Sequence, residues 1–284
     1  MPQTIIELLK NGIKANYEST LRRGNLIELP SKGSLIITGD LHGHRRNFER
    51  IVSFADLANN PDRHLVLQEI IHGGPEDSQG GCLSYQLLFE AVRYKLDFPE
   101  QVHIIMGNHD TAFILDTEVM KDGKEMNRAM IQAMDREYKE ATPDIVTTMK
   151  EYLFSQPLAV RSENRIWISH SLPADRFADK FDPGILERPL QLEDIIRPGP
   201  GSGYLLTWGR NLGQELLDKM AKLFDVDIFV LGHQQQDQGW RKAGNNLIIL
   251  ACNHNHGHIL SISLEKNYNI EQLVDCLIPL ASIS

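Results

Sequence analysis

Leu35-Ile36-Ile37-Thr38-Gly39-Asp40-Leu41-His42-Gly43 holds the key to the fold. An apolar, β-branched run of strand length is stopped by Gly-Asp, and a histidine follows two residues later. The run is apolar at consecutive positions, so both faces of the strand need cover. The same pattern recurs. Leu65-Val66-Leu67 leads into Gln68-Glu69, and Val102-His103-Ile104-Ile105-Met106 ends at Gly107-Asn108. Ile166-Trp167-Ile168-Ser169 ends at His170, and Asp227-Ile228-Phe229-Val230-Leu231 ends at Gly232-His233. Each is expected to be central in a sheet covered on both sides, with further strands over Leu247 to Cys252 and Ile259 to Leu264.

Helical spacing separates these runs. Phe48, Ile51, Val52 and Ala55 share one face, as do Leu83, Leu87, Leu88, Ala91 and Val92. Residues 126–139, 144–154 and 212–224 also read as helices, the second opened by Thr142-Pro143. Arg197-Pro198-Gly199-Pro200-Gly201-Ser202-Gly203 reads as a loop inside one domain, because strands on both sides carry the same chemistry. At the N-terminus Glu7, Lys10 and Lys14 are interleaved with Ile5, Leu8, Leu9 and Ile13. That is an amphipathic helix and not a signal peptide. The expectation is one α/β domain over residues 1–284, with the helix in its first thirty residues or so.

Composition narrows the function classes. Lys+Arg 29 against Asp+Glu 38 gives a net charge of −9, the wrong sign for a non-specific nucleic-acid binder. No apolar run approaches the roughly 18 residues of a membrane span, so no membrane partner is expected. Cys82, Cys252 and Cys276 form no C-x-x-C pair and read as thiols in a reducing, cytoplasmic setting.

Open α/β sheets place their sites at strand ends. Here those ends carry Asp40 and His42, Glu69 and His72, Asn108 and His109, His170, and His233. A single Gly-Asp is usually a turn, and a single histidine is usually a packed side chain. Five successive strand ends with a metal-ligand type are hard to attribute to turns. Carboxylate, imidazole and amide oxygen together suit Mn, Fe or Zn, and the lack of thiolates speaks against a structural zinc site.

Five ordered motifs make the chain resemble the phosphoprotein phosphatases of the calcineurin-like metallophosphoesterase group. Gly39-Asp40-Leu41-His42-Gly43 is similar to that family's Gly-Asp-x-His-Gly, and Gly107-Asn108-His109-Asp110 to its Gly-Asn-His-Glu/Asp. His170 closes a segment like the family's ligand histidine, Gly203 to Gly209 parallels its Gly-x-x-x-Thr-aromatic-Gly run, and Gly232-His233 follows. The resemblance implies a four-layer αββα sandwich with mixed β-sheets and two divalent cations, Mn first, with Fe or Zn as alternatives. It implies that Asp40 and His42 hold one cation, that Asn108, His170 and His233 hold the other, and that Glu69 bridges them. It implies His109 as the acid that protonates the leaving group.

The second motif departs from the family. Where the family has Gly-Asp-x-x-Asp-Arg-Gly, this chain has Gln68-Glu69-Ile70-Ile71-His72-Gly73-Gly74. The carboxylate that orients the family's acid histidine becomes His72, with Asp77 or Glu76 as substitutes from the following loop. The family's three phosphate-gripping arginines become Gly73, Met106 and Ser202, with Arg210, Arg45 or Arg46 as replacement candidates. His254 is a further candidate beside the substrate. The leading function is phosphomonoester hydrolysis, protein Ser/Thr phosphate included. The alternatives are nucleotide or phosphodiester hydrolysis, and a degenerate module that binds a phosphorylated ligand.

Overall fold

Side chains alternate across a strand, so an unbroken apolar run demands a hydrophobic layer on each side. The computed structural model describes residues 2–121, 123–196, 199 and 201–283 and supplies both layers. In chain order the strands are β1 (Arg22–Arg23), β2 (Leu26–Leu29), β3 (Ser34–Asp40), β4 (Arg63–Gln68), β5 (Val102–Ile105), β6 (Met120–Lys121) and β7 (Lys124–Glu125). They continue as β8 (Ala159–Ser162), β9 (Ile166–Ser169), β10 (Ile228–Leu231), β11 (Trp240–Ala243), β12 (Leu247–Leu250), β13 (His258–Ser263) and β14 (Leu277–Pro279). The helices are α1 (Pro2–Glu18), α2 (Arg45–Ala55), α3 (Ser84–Asp97), α4 (Asn108–Ile114), α5 (Met126–Tyr138), α6 (Thr142–Phe154), α7 (Ser202–Trp208), α8 (Gln214–Phe224) and α9 (Ile270–Val274).

One sheet has the order β1-β2-β8-β9-β10-β12-β11 and the other β14-β13-β3-β4-β5, while β6 and β7 form a separate hairpin. Both large sheets are mixed. β3–β4, β4–β5, β9–β10 and β10–β12 are parallel, whereas β8–β9 and β13–β3 are antiparallel.

Alternation then sorts the apolar residues into three cores. Leu35, Ile37, Val66 and Ile105 from one sheet face Ile166, Ile168, Val230 and Ile248 from the other. Their neighbours Ile36, Leu65, Leu67 and Ile104 share a core with Leu9 of α1, Val92 of α3, Met134 of α5 and Leu153 of α6. On the far side Trp167, Phe229, Leu231 and Ile249 meet Leu216, Met220 and Phe224 of α8. Trp167 lies flat on Phe224, with ring centroids 4.0 Å and planes 6° apart. Helix, sheet, sheet and helix make an αββα sandwich. Each fully buried aliphatic side chain contributes about 1.5–3 kcal/mol, so these cores hold α1 and α8 more than helix propensity does.

Three expectations need correction. The N-terminal helix stops at Glu18, and residues 22–29 continue as strands because Leu26, Ile27 and Leu29 are buried in the sandwich. β5 is an edge strand, although all four of its residues are buried. Lys95 Nζ covers that edge, donating to the Val102 carbonyl at 2.9 Å. Of the expected loop at 197–203, Arg197, Pro198 and Pro200 lie outside the described residues, while Ser202 and Gly203 open α7.

The two sheets come together at the ends that carry the polar residues. The Cys252 amide donates to the Asp40 carbonyl at 2.9 Å, and Asp40 bridges Ala251 in parallel register. A Cβ at Gly39 would stand 2.1 Å from the Leu250 carbonyl oxygen. Only a residue without one fits. Gly39→Ala is therefore expected to cost at least about 1–3 kcal/mol, as overpacking of close-packed interiors does. A urea unfolding midpoint equal to that of the unaltered protein, at equal slope, would refute this contact.

Candidate metal centre

A side chain reaches inward from a strand end only if the backbone turns sharply there. His42, Glu69, His72 and His233 all adopt positive φ, at 43°, 47°, 73° and 66°. Such conformations cost energy outside glycine and persist where surrounding structure enforces them. The enforcement is visible. The Glu69 carbonyl accepts the amides of Leu41 at 3.1 Å and His42 at 2.8 Å, tying the β3 and β4 ends together. The His233 amide donates to Asp40 Oδ1 at 2.9 Å, and the His109 amide to Glu69 Oε1 at 3.0 Å. The start of α4 is fixed by Asp110, whose Oδ2 accepts the Gly107 amide at 2.8 Å.

Gln68 decides how His170 can act. Its amide nitrogen donates to the Thr38 carbonyl at 2.8 Å, which leaves Oε1 facing His170 Nδ1 at 2.9 Å. A carbonyl cannot donate, so the amide orientation follows, and His170 Nδ1 must carry the proton. In the neutral ring Nε2 is then a bare lone pair. It lies 2.8 Å from Asn108 Oδ1 and 2.7 Å from Glu69 Oε2. The Glu69 contact is short yet has no hydrogen-bond alignment, and Glu69 Oε2 is buried without a hydrogen-bond partner. His233 Nδ1 reaches the same Asn108 oxygen at 2.8 Å. Asp40, Glu69 and His170 offer ligand atoms that all lie within 4.8 Å of one another. Nearby, His42 Nδ1–H donates to the Ile71 carbonyl at 3.2 Å, turning Nε2 toward Asp40 Oδ2 at 3.7 Å. His170 and His42 are thus each oriented through the other ring nitrogen, the usual arrangement for a ligating histidine. The donor set fits a divalent cation with nitrogen and oxygen preference.

Electrostatics agree with that fit. Burial pushes the Glu69 carboxyl up to about 8 and the Asp40 carboxyl up to about 6, the latter partly offset by His170. Burial also lowers His42 to about 4 and holds His109 and His233 well below the usual imidazole range. Every group is driven toward neutrality because burial outweighs the charges around it. A divalent cation would reverse the carboxylate shifts and leave the imidazoles neutral, as ligands must be.

The remaining candidates fall in different places. His72 stacks face to face on His109, with centroids 3.5 Å and planes 20° apart, while Nδ1 of both rings is buried without a hydrogen-bond partner. His72 therefore supports the ring and does not replace a carboxylate hydrogen bond. Asp77 does not reach His109 either. It accepts the Gln79 and Gly81 amides at 2.9 and 2.8 Å and pairs with Arg136 at 2.5 Å. Its carboxylate closes its own glycine-rich loop. Arg45 is paired with Glu90 at 2.6 Å on the outer helix layer. His254 Nε2–H donates to the Gln236 carbonyl at 2.8 Å, bracing the loop that follows His233. Arg210 is exposed, forms no hydrogen bond or ion pair among the described residues, and its charge acts on Asp40, His170 and His233. It lines a cleft of about 400 Å³ together with Phe177, Tyr204 and Trp208. The Trp208 ring stands 6.4 Å from that of His233. Gln68 is the site residue that sequence reasoning missed, since a Gln at a strand end carries no motif signal.

Two outcomes follow from this geometry. Gln68→Ala should weaken Mn binding about 10- to 100-fold by freeing the His170 tautomer, a loss readable by calorimetry without any substrate. The second concerns pH. The folded protein without metal retains a Glu69 proton that the unfolded chain releases above 4.5, so stability falls as pH rises toward about 8. Below 6.5 the depressed His42 works the other way, which leaves pH 6.5 to 8 as the window in which Glu69 acts, together with the Asp110 carboxyl that burial also raises. In chelator the unfolding free energy should drop across that window, and the stabilisation by added Mn should grow. A flat profile in chelator would show that Glu69 ionises normally.

A family model for calcineurin-like phosphoesterases matches residues 33–237. A serine/threonine-protein phosphatase of Caenorhabditis elegans is 25% identical over 231 residues, which is 76% of this chain and 46% of that protein. The chain spans about half the length of the curated relatives it matches. Among solved structures, a protein serine/threonine phosphatase from Saccharomyces cerevisiae superposes with a TM-score of 0.70 at 13% identity, covering 99% of this chain and 93% of that one. A cold-active protein-tyrosine phosphatase from Shewanella gives 0.54 at 14% identity, over 84% and 77%. Those structural likenesses concern the sandwich alone. With the family match running from β3 past His233, the chain belongs to the calcineurin-like phosphoesterases.

Proposed function

We propose that this chain hydrolyses phosphomonoesters, phosphoserine and phosphothreonine side chains among them, at a centre of two divalent cations. One observation carries the reading. His170 Nε2, with its ring proton placed on Nδ1 by Gln68, meets Glu69 Oε2 at 2.7 Å and Asn108 Oδ1 at 2.8 Å. Lone pairs gathered at that range call for a cation. Asp40 and His42 would hold one ion, Asn108, His170 and His233 the other, and Glu69 both. Mn is the first choice for such donors, with Fe or Zn as alternatives. When bound, the pair supplies Lewis acidity toward phosphoryl oxygens and makes water acidic enough to attack at neutral pH.

His109 would protonate the leaving alkoxide. Its amide is anchored on Glu69 and its ring on His72, so packing and main chain aim it. Burial beside His72 and His42 keeps it neutral at rest. The negative charge of an arriving phosphate raises the pKa of a neighbouring imidazole, so the proton is recruited with the substrate.

The missing carboxylate partner of His109 favours one alternative, a module that binds a phosphorylated ligand and turns it over slowly. Nucleotide or phosphodiester hydrolysis would use the same centre, with the aromatic cleft beside His233 receiving a larger leaving group. p-Nitrophenyl phosphate and bis-p-nitrophenyl phosphate with Mn separate these cases. The proposal expects turnover of the monoester that chelator abolishes. A faster diester moves the substrate class, and phosphate binding without turnover leaves the module. His109→Asn should slow alkyl phosphates by about 10²–10⁴ and aryl phosphates less, because good leaving groups need little protonation. Equal losses on both would remove His109 from that role.

A further inference from the structure

The family's phosphate-gripping arginine has no counterpart at Gly73, and the backbone there explains why. Gly73 has φ 126°, where an L side chain is strained. A Cβ at that position would nevertheless point into the site, 3.2 Å from the His42 carbonyl oxygen and 3.1 Å from Lys121 Nζ. The ammonium group of Lys121 thus occupies the space into which residue 73 would project. Lys121 comes from the β6–β7 hairpin, more than forty residues downstream. It is exposed, and among the described residues its Nζ forms no hydrogen bond or ion pair. Its charge is felt by His42 and by His72.

The hairpin is held by contacts of its own. Lys124 Nζ donates to Glu76 Oε1 at 2.6 Å and to the Gly80 carbonyl at 2.9 Å. Asn127 Nδ2 donates to the Thr117 carbonyl at 2.8 Å, closing the base of the segment. Glu76 and Asp77 therefore tie the glycine-rich loop to Lys124 of the hairpin and to Arg136 of α5. Of the two hairpin lysines, Lys124 is used as the anchor and Lys121 is left uncompensated beside the centre.

We propose that Lys121 binds the phosphoryl group of the substrate, supplying in space the cation that the chain lacks at Gly73. The ligand class is a phosphate monoanion or dianion, bound by a point charge and without the two-pronged geometry of a guanidinium. This rests on the phosphoesterase reading given above for the cation centre.

The test uses the full-length chain loaded with Mn, and inorganic phosphate as probe. Calorimetry reads phosphate affinity, and p-nitrophenyl phosphate kinetics read KM and kcat separately. Lys121→Ala should weaken phosphate binding about 10- to 100-fold, the range of a charge-assisted contact, and raise KM similarly. kcat should change less than KM, and Lys121→Arg should restore most of the affinity. Thermal midpoints of both variants should match that of the unaltered protein, since the side chain is exposed. Unchanged phosphate affinity in Lys121→Ala, with the unaltered protein active, overturns the proposal and leaves the phosphoesterase reading intact. Phosphate affinity that falls in Lys121→Ala although nothing is hydrolysed supports Lys121 and sinks catalysis. An unaltered, Mn-loaded protein that binds no phosphate overturns both.

Discussion

Two sheets must touch at one end for this site to exist, and that contact is made by backbone against backbone. Asp40, His42, Glu69 and Asn108 come from the five-stranded sheet, whereas His170 and His233 come from the seven-stranded one. No single sheet holds the proposed ligand set. Gly39 lets β3 approach the Leu250 carbonyl, and Gly232 does the same for the Asp40 carboxylate, since a Cβ there would stand 2.3 Å from Oδ1. The apolar core between the sheets drives them together, and two missing side chains let the polar ends close the final distance. Because the core is close-packed, the positions of these side chains inherit its rigidity.

What that rigidity stores is an unfavourable electrostatic arrangement. Two carboxyls, Asp40 and Glu69, and five imidazoles, His42, His72, His109, His170 and His233, are buried together, each pushed toward its neutral form by burial. Exchanging that set for hydrophobic residues of equal volume would stabilise the bare fold. The strained φ values at His42, Glu69, His72 and His233 add to the cost, about 1–3 kcal/mol each where no compensation exists. Structural polar networks are normally satisfied internally; this one leaves Glu69 Oε2 and His233 Nε2 unpartnered. A site with its acceptors aimed at one another is paid for elsewhere in the structure and makes sense through what binds there.

Much of this was legible in the sequence because it depends on local rules. Consecutive apolar residues in Leu35 to Thr38 and Ile166 to Ser169 demand two covered faces, and the structure gives them two. Strand-end residues such as Asp40, Asn108 and His233 stand where parallel strands release the chain. Edge position was not legible, because β5 is as apolar as a central strand and is protected by Lys95, a residue on a helix. The short strands β1 and β2 were hidden behind α1, where Leu26 and Ile27 look like a continuation of its apolar face. Contacts across long separations left no trace either. Gln68 on His170, Arg136 on Asp77 and Lys121 beside Gly73 span from forty-eight to one hundred and two residues, and no spacing rule connects such pairs.

The altered second motif is best understood as one coordinated change. From Glu69 to Gly74 the backbone visits positive φ at residues 69, 72, 73 and 74. Such a path admits glycine at 73 and 74 and excludes a long cationic side chain there. Glu69, one methylene longer than aspartate, spans the extra distance; its carboxylate fills the space beside Gly107, where a Cβ would lie 2.6 Å from Oε1. Gln68 becomes useful only in that setting, because its amide can then bridge Thr38 and His170. His72, unable to accept as a carboxylate does, turns to stacking on His109. The glycine-rich loop that follows pairs through Glu76 with Lys124 of the β6–β7 hairpin and through Asp77 with Arg136 of α5, and that hairpin brings the Lys121 ammonium beside Gly73. Each departure read alone looks like the loss of a function. Placed on one backbone path, they keep a carboxylate at residue 69, stack residue 72 on His109 and leave the Lys121 ammonium group beside Gly73.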